Sequence, residues 1–423
     1  METSYDAIVI GAGPAGSSAA ILLARAGWSV ALVESKRFPR RKVCGECIAA
    51  TNLPLLEALG LGAAVRQQAG PELRRVALWC GEEEITAALP ASEDDHLPWG
   101  LALGREHLDL LLLRQARTAG ATVLQPCRAR AVQVDAQGVG YEVEVADARS
   151  LRLVLRAPVV IRAHGSWEAP PAGETTMKRR HRAADLLGFK ASFRNAALDD
   201  GLLPVLAFAG GYGGMVRASD GLTTLACCIR RDRLAACRRD GGGGCEVAGE
   251  AIETLLRRDC RGVRDALRDA SRIAPWLAAG PMRPGVRVGS GRANGFLIGN
   301  AAGEVHPIVG EGISMALQSA WLLCEELAGC ADAFRRDARG ELRRREIQRR
   351  YVSRWRAHFV RRMRLAAFFA HAAMRPGIAA PLLPLLRRAP ALLAMAARAS
   401  GKTRSAVTLP SAALPGFIQG SPS

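Results

Sequence analysis

The hexapeptide Gly11-Ala12-Gly13-Pro14-Ala15-Gly16 constrains this chain more than any other segment. It follows the apolar run Ala7-Ile8-Val9-Ile10 and precedes the helix-forming stretch Ser17 to Arg25; Gly27 closes that helix before a second apolar run, Ser29 to Glu34. Strand, glycine turn, helix and strand in this order make a βαβ unit in which each glycine has its own task. Gly11 permits the tight turn, Gly13 lets a pyrophosphate approach the backbone, and Gly16 lets the helix sit close to the strand. Pro14 and Ala15 lie in the turn ahead of the helix, whose first unpaired N–H groups face the phosphates with the positive end of the helix dipole. Glu34 ends the second strand, where a carboxylate accepts from ribose hydroxyls and disfavours a 2′-phosphate; Ser35 stands beside it. The unit predicts dinucleotide binding.

A second glycine-rich turn lies far downstream. Gly295 to Gly303 is a strand running into a turn, and Pro307 and Gly310-Glu311-Gly312 precede a helix marked by Ile313, Ala316, Leu317, Ala320, Trp321, Cys324 and Leu327, three and four apart. Its N-terminus offers oriented N–H groups to the negative charge that a reduced flavin develops at its N1/O2 edge. Between the two anchors, Val123–Val134 and Tyr141–Val154 have the pattern of a small sheet, and Pro158–Gly165 is a buried strand returning to the first sheet. Short β-like runs near Gly210–Val216 and Leu222–Arg230 supply a sheet that roofs the cofactor. Cys237–Asp240 and the four glycines after it read as a surface link, and Glu174–Arg182 as a polar connector.

Together with the loop Lys42-Val43-Cys44-Gly45-Glu46 and Arg105, these two turns give the chain a resemblance, over residues 5 to 330, to flavoproteins of the para-hydroxybenzoate hydroxylase fold, in the branch of geranylgeranyl reductases and related monooxygenases. The resemblance implies an α/β protein: a Rossmann-like FAD-binding domain, an interleaved substrate-binding β-sheet domain and a helical C-terminal tail. The expected division is a cofactor lobe over 1–160 with a β insertion at 122–155, a substrate sheet over 161–290, a return to the cofactor lobe over 291–330, and a helical, basic region over 331–423. It also implies that Arg105 contacts the FAD phosphates or adenosine side, that Asn300 meets the pyrophosphate or ribitol, that Gly310, Gly312 and Ile313 lie under the flavin, and that His306 and Pro307 line the substrate side. Lys42, Cys44 and Gly45 would meet the phosphates or the isoalloxazine edge. The chain departs from the family at Asn300 and at His164, where Asp is usual.

The leading expectation for the reaction is an NAD(P)H-driven hydroxylation of a hydrophobic aromatic or polyketide-type substrate, with His306 and Tyr212 as candidate catalytic residues. The alternatives are an FAD-dependent reductase of prenyl or lipid double bonds and a non-catalytic carrier that keeps the fold; the intact glycine turn argues against the carrier. Halogenation is set aside because Trp-x-Trp-x-Ile-Pro is absent. The Cys44/Cys47 pair lies in a loop rather than at a helix start, so disulfide chemistry is disfavoured.

A net charge of +18 comes largely from Arg, notably around Arg335 to Arg364. No nucleic-acid-binding motif accompanies it, so nucleic acid is not an expected partner; a hydrophobic small molecule is. The eleven Cys have no repeating spacing and the first residues lack a secretory pattern, which predicts a reduced, cytoplasmic protein. Arg361, Arg362 and Arg364 leading into Leu365, Phe368, Phe369 and Met374, with Leu382–Leu386 beyond, admit two readings: a tail packed over the substrate lobe, or peripheral contact with anionic lipid at the inner face of a membrane.

Overall fold

The computed structural model describes residues 3–94, 96–135, 140–147, 152–165, 181–240, 247–289, 295–328, 330 and 338–399. The apolar runs of the first anchor become the middle of a parallel sheet. Its spatial order is Phe296–Leu297, Val159–Arg162, Ala7–Ile10, Val30–Val33 and Thr122–Leu124, with each neighbouring pair parallel. Every residue of Ala7–Ile10 and Val30–Val33 is buried, as strands covered on both faces must be.

Six helices position the site. Helices α1 (Pro14–Arg25), α2 (Arg105–Thr118) and α3 (Gly312–Leu327) cover one face of this sheet and share its largest apolar core. On the other face an antiparallel layer, Cys127–Val134, Tyr141–Asp147 and Arg152–Ala157, packs Val132, Val143, Val145 and Leu155 against Ile8, Ile10, Ala31 and Val33. Helix α4 (Ala338–Ala373) buries Ile347, Tyr351, Trp355, Phe359 and Met363 at four-residue spacing, one continuous stripe along a helix. Tyr351 donates to the Leu297 carbonyl at 2.7 Å. Helices α5 (Pro376–Arg388) and α6 (Ala391–Ala397) follow, bent by 114° from one another. No single helix among the described residues is long and apolar enough to cross a membrane.

The second sheet runs Ser271–Arg272, Leu186–Arg194, Thr223–Arg230, Gly211–Arg217, Leu202–Phe208, Arg75–Cys80 and Glu83–Ala88, and Leu277–Met282 also pairs with Leu186–Arg194. Three expected boundaries therefore move. Residues 75–88 leave the first lobe for the second sheet, because Arg75–Cys80 pairs in parallel with Leu202–Phe208 and buries Val76, Ala77 and Trp79 there. Thr122–Leu124 belongs to the parallel sheet rather than to an insertion, and a border at 161 cuts through Val159–Arg162. Cys237–Asp240 is the last turn of a helix, Arg231–Asp240, rather than a link. The glycines after it, and most of the Glu174–Arg182 connector, lie outside the described residues.

Candidate active site

The glycines of the first turn differ in what they are for. Gly11 has φ +100°, and a Cβ there would sit 2.6 Å from the Ala163 carbonyl oxygen; a Cβ on Gly16 would sit 1.8 Å from the Gly11 carbonyl oxygen. Both are demanded by the protein's own packing. Gly13 has φ −70° and ψ −176°, a conformation open to any residue. Its Cβ would meet one atom within 4 Å, a guanidinium nitrogen of Arg105 at 3.9 Å. The space above Gly13 is thus a cradle that local packing does not require. Gly45 and Gly312 likewise have nothing within 4 Å, and neither α1 nor α3 has a side-chain cap for its first N–H groups. Open space beside uncapped helix N-termini suits an anionic ligand.

Charged side chains ring this cradle. The buried Glu34 carboxylate accepts from the amides of Ala12 (2.9 Å) and Lys36 (2.8 Å) and from Arg40 Nη1 (3.3 Å), with Ser35 Oγ at 3.5 Å. Arg40 Nε lies 3.7 Å from Asp109. Asp109 is fully buried and receives both Nε and Nη2 of Arg105 at 2.8 Å. Burial pulls the Arg105 pKa down, but Asp109 and Cys44 outweigh it, so the guanidinium stays charged. Arg105 is the residue that the resemblance assigns to the cofactor's phosphates or adenosine side, and Asp109 is what aims it.

The Cys44-Gly45 loop is tied down through its next residue. Glu46 has φ +60° and a buried carboxylate. It accepts from the Arg105 amide (3.0 Å), from Thr224 Oγ1 (2.7 Å) and from the ammonium of Lys190, which is fully buried in the second sheet. Glu106 stands 4.0 Å from the same ammonium. One carboxylate thereby joins the loop, α2 and the roofing sheet. Lys42 reaches the neighbouring turn, where a Cβ on Gly165 would lie 3.6 Å from its Nζ. His164 in that turn is held neutral, its pKa lowered to about 4 by burial and by the Arg162 charge.

The second anchor closes on the first. A Cβ on Gly299 would lie 2.9 Å from Ala15 Cβ, so the turn bearing Asn300 abuts the start of α1, and the Asn300 carbonyl accepts from Arg287 Nη1 at 2.7 Å. Gly310 takes φ +68° ahead of Glu311, Gly312 and the buried Ile313. A buried polar network steadies this helix start: Asn52 Nδ2 donates to Ser314 Oγ (2.8 Å), Gln318 Nε2 to Asn52 Oδ1 (3.1 Å) and Arg362 to Gln318 Oε1 (3.2 Å), with Glu311 3.9 Å from Arg362. FAD fits these residues: Gly13, Arg105 and the start of α1 could hold its pyrophosphate, Glu34 its ribose, and Gly45, Gly310 and Gly312 its ring.

From Cys44, Gly45 and Gly310 a cavity of about 430 Å³ runs under the second sheet to α5 and α6. Among the described residues its lining carries no charged, amide, Ser or Thr side chain. Its polar side-chain groups are the Tyr212 hydroxyl and the thiols of Cys44, Cys47, Cys80, Cys227 and Cys228. Tyr212 Oη lies 3.1 Å from His306 Nδ1, and the His306 ring meets that of the exposed His371 with centroids 5.6 Å apart. Burial and the nearby His371 lower the His306 pKa to about 4, while burial raises that of Tyr212 and pushes the Cys228 thiol up to about 12. At neutral pH all three are uncharged, so the phenol can donate to the imidazole. The structure thus brings the two candidate catalytic residues into one pair, and adds Cys228 and His371 to it.

A family model described as FAD binding domain matches residues 4–350. Over 340 residues the chain is 27% identical to the menaquinone reductase of Mycobacterium tuberculosis, covering 77% of each protein. Over 367 residues it is 27% identical to digeranylgeranylglycerophospholipid reductase 2 of Methanopyrus kandleri, covering 84% of this chain and 83% of that one. Among solved structures, a flavin-dependent brominase shares its fold with a TM-score of 0.72 at 18% identity, over 95% of this chain and 94% of the other.

Proposed function

The chain belongs to the FAD binding domain family and is an FAD-dependent oxidoreductase, and on that premise we propose that it reduces carbon–carbon double bonds in an isoprenoid-like hydrocarbon chain. The observation that carries this reading is the lining of the cavity. A polyketide or multiply oxygenated aromatic brings several hydroxyls and carbonyls, each costing roughly 1–3 kcal/mol if buried without a partner. The side chains of the lining, one phenol and a few thiols, offer few such partners. A hydrocarbon chain needs no partners and gains about 25 cal/mol for each Å² removed from water. Two relatives matched over most of their length are reductases by name, one a menaquinone reductase and one a digeranylgeranylglycerophospholipid reductase, which supports the same class.

Bound FAD would supply hydride at its reduced ring, and NAD(P)H is in this reading the source of electrons. The protein's own part is to orient and dry the substrate and to place a proton. Tyr212 holds a proton at the cavity wall, and His306 links its hydroxyl to the exposed His371. The apolar walls given by Val76, Leu78, Phe189 and Met215 exclude water from the same space.

Hydroxylation is the second reading. The Tyr212–His306 pair at the cavity favours it, because a phenol backed by an imidazole can hydrogen-bond the oxygen of a phenolic substrate. One experiment separates the two. FAD-loaded protein is mixed with NADH or NADPH and a panel of prenyl and phenolic compounds, with and without oxygen, and products are analysed by mass spectrometry. Gain of two hydrogens without oxygen supports the reductase; gain of one oxygen atom, in air only, overturns it.

A further inference from the structure

Helices α5 and α6 carry their apolar residues outward as well as inward. Ile378 is 44% exposed, Leu382 43%, Leu385 53%, Leu392 36% and Met395 63%, and Phe368 near the end of α4 is 64% exposed beside them in the chain. On α5 the less exposed positions are Ala379, Leu383 and Leu386, one seam facing the body, while Ala380, Pro381, Leu382, Pro384 and Leu385 are open to solvent. A surface helix of a soluble protein normally has its polar side there, and a run of exposed apolar residues marks an interaction surface. The helix ends in the exposed pair Arg387 and Arg388, and Arg361, Arg364, Arg375 and Arg398 are exposed nearby in the chain.

Charge selects the partner. After Glu346 the sequence contains no Asp or Glu, but it contains twelve Arg and one Lys. A self-association face with this composition would set like charges against each other, whereas an anionic lipid surface neutralises them and takes up the apolar side chains. Leu382, Leu385 and Leu392 also line the cavity, so the interior of a bilayer seated on this elbow would be continuous with the cavity wall.

We propose that the α5–α6 elbow is a docking surface for an anionic lipid bilayer, through which a membrane-resident chain enters the cavity without crossing water. The docking stands apart from the reaction proposed above, because its test measures no turnover. Full-length, FAD-loaded protein is sedimented with vesicles of phosphatidylcholine alone or with one third phosphatidylglycerol, at low and high salt. Binding is expected to the anionic vesicles, at least fivefold above the neutral ones and reversed by salt. R388E/R398E and I378N/M395N, which alter residues outside the cavity lining, should each lower the bound fraction at least fivefold while flavin content and melting temperature stay at the parent value. Equal binding to both vesicles, no binding to either, or parent-like binding by both variants overturns the proposal. So does a dimer in light scattering that I378N/M395N dissolves, since a second copy would then be what covers the face.

Discussion

Replacing Gly13 by valine should separate the fold from its cofactor. The residue has φ −70° and ψ −176°, and its Cβ would meet only Arg105 at 3.9 Å. The apoprotein should therefore tolerate valine to within about 1 kcal/mol. The side chain instead fills the cradle in front of α1, where the pyrophosphate would accept from the first N–H groups. Losing two charge-assisted hydrogen bonds of about 1.5–3 kcal/mol each removes about 3–6 kcal/mol, which weakens FAD binding roughly a hundredfold to ten-thousandfold. Gly16→Ala is the control, because its Cβ would sit 1.8 Å from the Gly11 carbonyl oxygen and forces the turn apart in the apoprotein too. Urea unfolding of the apoproteins and FAD titration by flavin fluorescence read the two effects. A Gly13→Val protein that binds FAD within threefold of the parent would refute the cofactor's placement, and a Gly16→Ala apoprotein of parent stability would refute the distinction between the two glycines.

Two further outcomes follow from buried charge. Lys190→Met leaves the Glu46 carboxylate buried with only Thr224 and the Arg105 amide, a loss of about 3–5 kcal/mol by urea unfolding, and adding Glu46→Gln should restore part of it; a single-variant loss under about 1 kcal/mol would show that the pair does not anchor the loop. His164 and His306 have folded-state pKa values near 4, below the ordinary 6.5, so the unfolded chain takes up protons first on acidification. Stability should be level above pH 7 and fall below 6.5, by about 2 kcal/mol for each histidine at pH 5. His306→Gln should flatten this slope in pH-dependent unfolding, and an unchanged slope would mean that the imidazole is not held neutral.

What the sequence disclosed was local. Gly11, Gly13, Gly16 and Glu34 fall within one βαβ unit, and Gly310 to Ile313 within one helix start, so spacing alone located them. Partners that meet across long separations stayed hidden. Arg75–Cys80 pairs with a strand that begins at Leu202, and no turn chemistry links them. Nothing local marks Lys190 for burial, because a period of two cannot tell an exposed face from one covered by another lobe and its partner, Glu46, lies 144 residues away. Asn52, Gln318 and Arg362 form their network across three separate elements, which a linear pattern does not register. The cavity was hidden for a different reason: its lack of polar side chains is a property of described residues scattered from Val43 to Ala397.

The interleaving of the two sheets also dictates an order of assembly during synthesis. Arg75–Cys80 must wait for Leu202–Phe208, and the parallel sheet gains its last strand only when Phe296–Leu297 has emerged. Until then the ribosome holds a chain with open strand edges and uncovered apolar faces, the species that chaperones capture and that aggregates when they do not. The dinucleotide turn is finished within the first few dozen residues, yet the helix start that completes its site arrives at Gly312. A cofactor that needs both helix starts would find its full site only on a nearly complete chain.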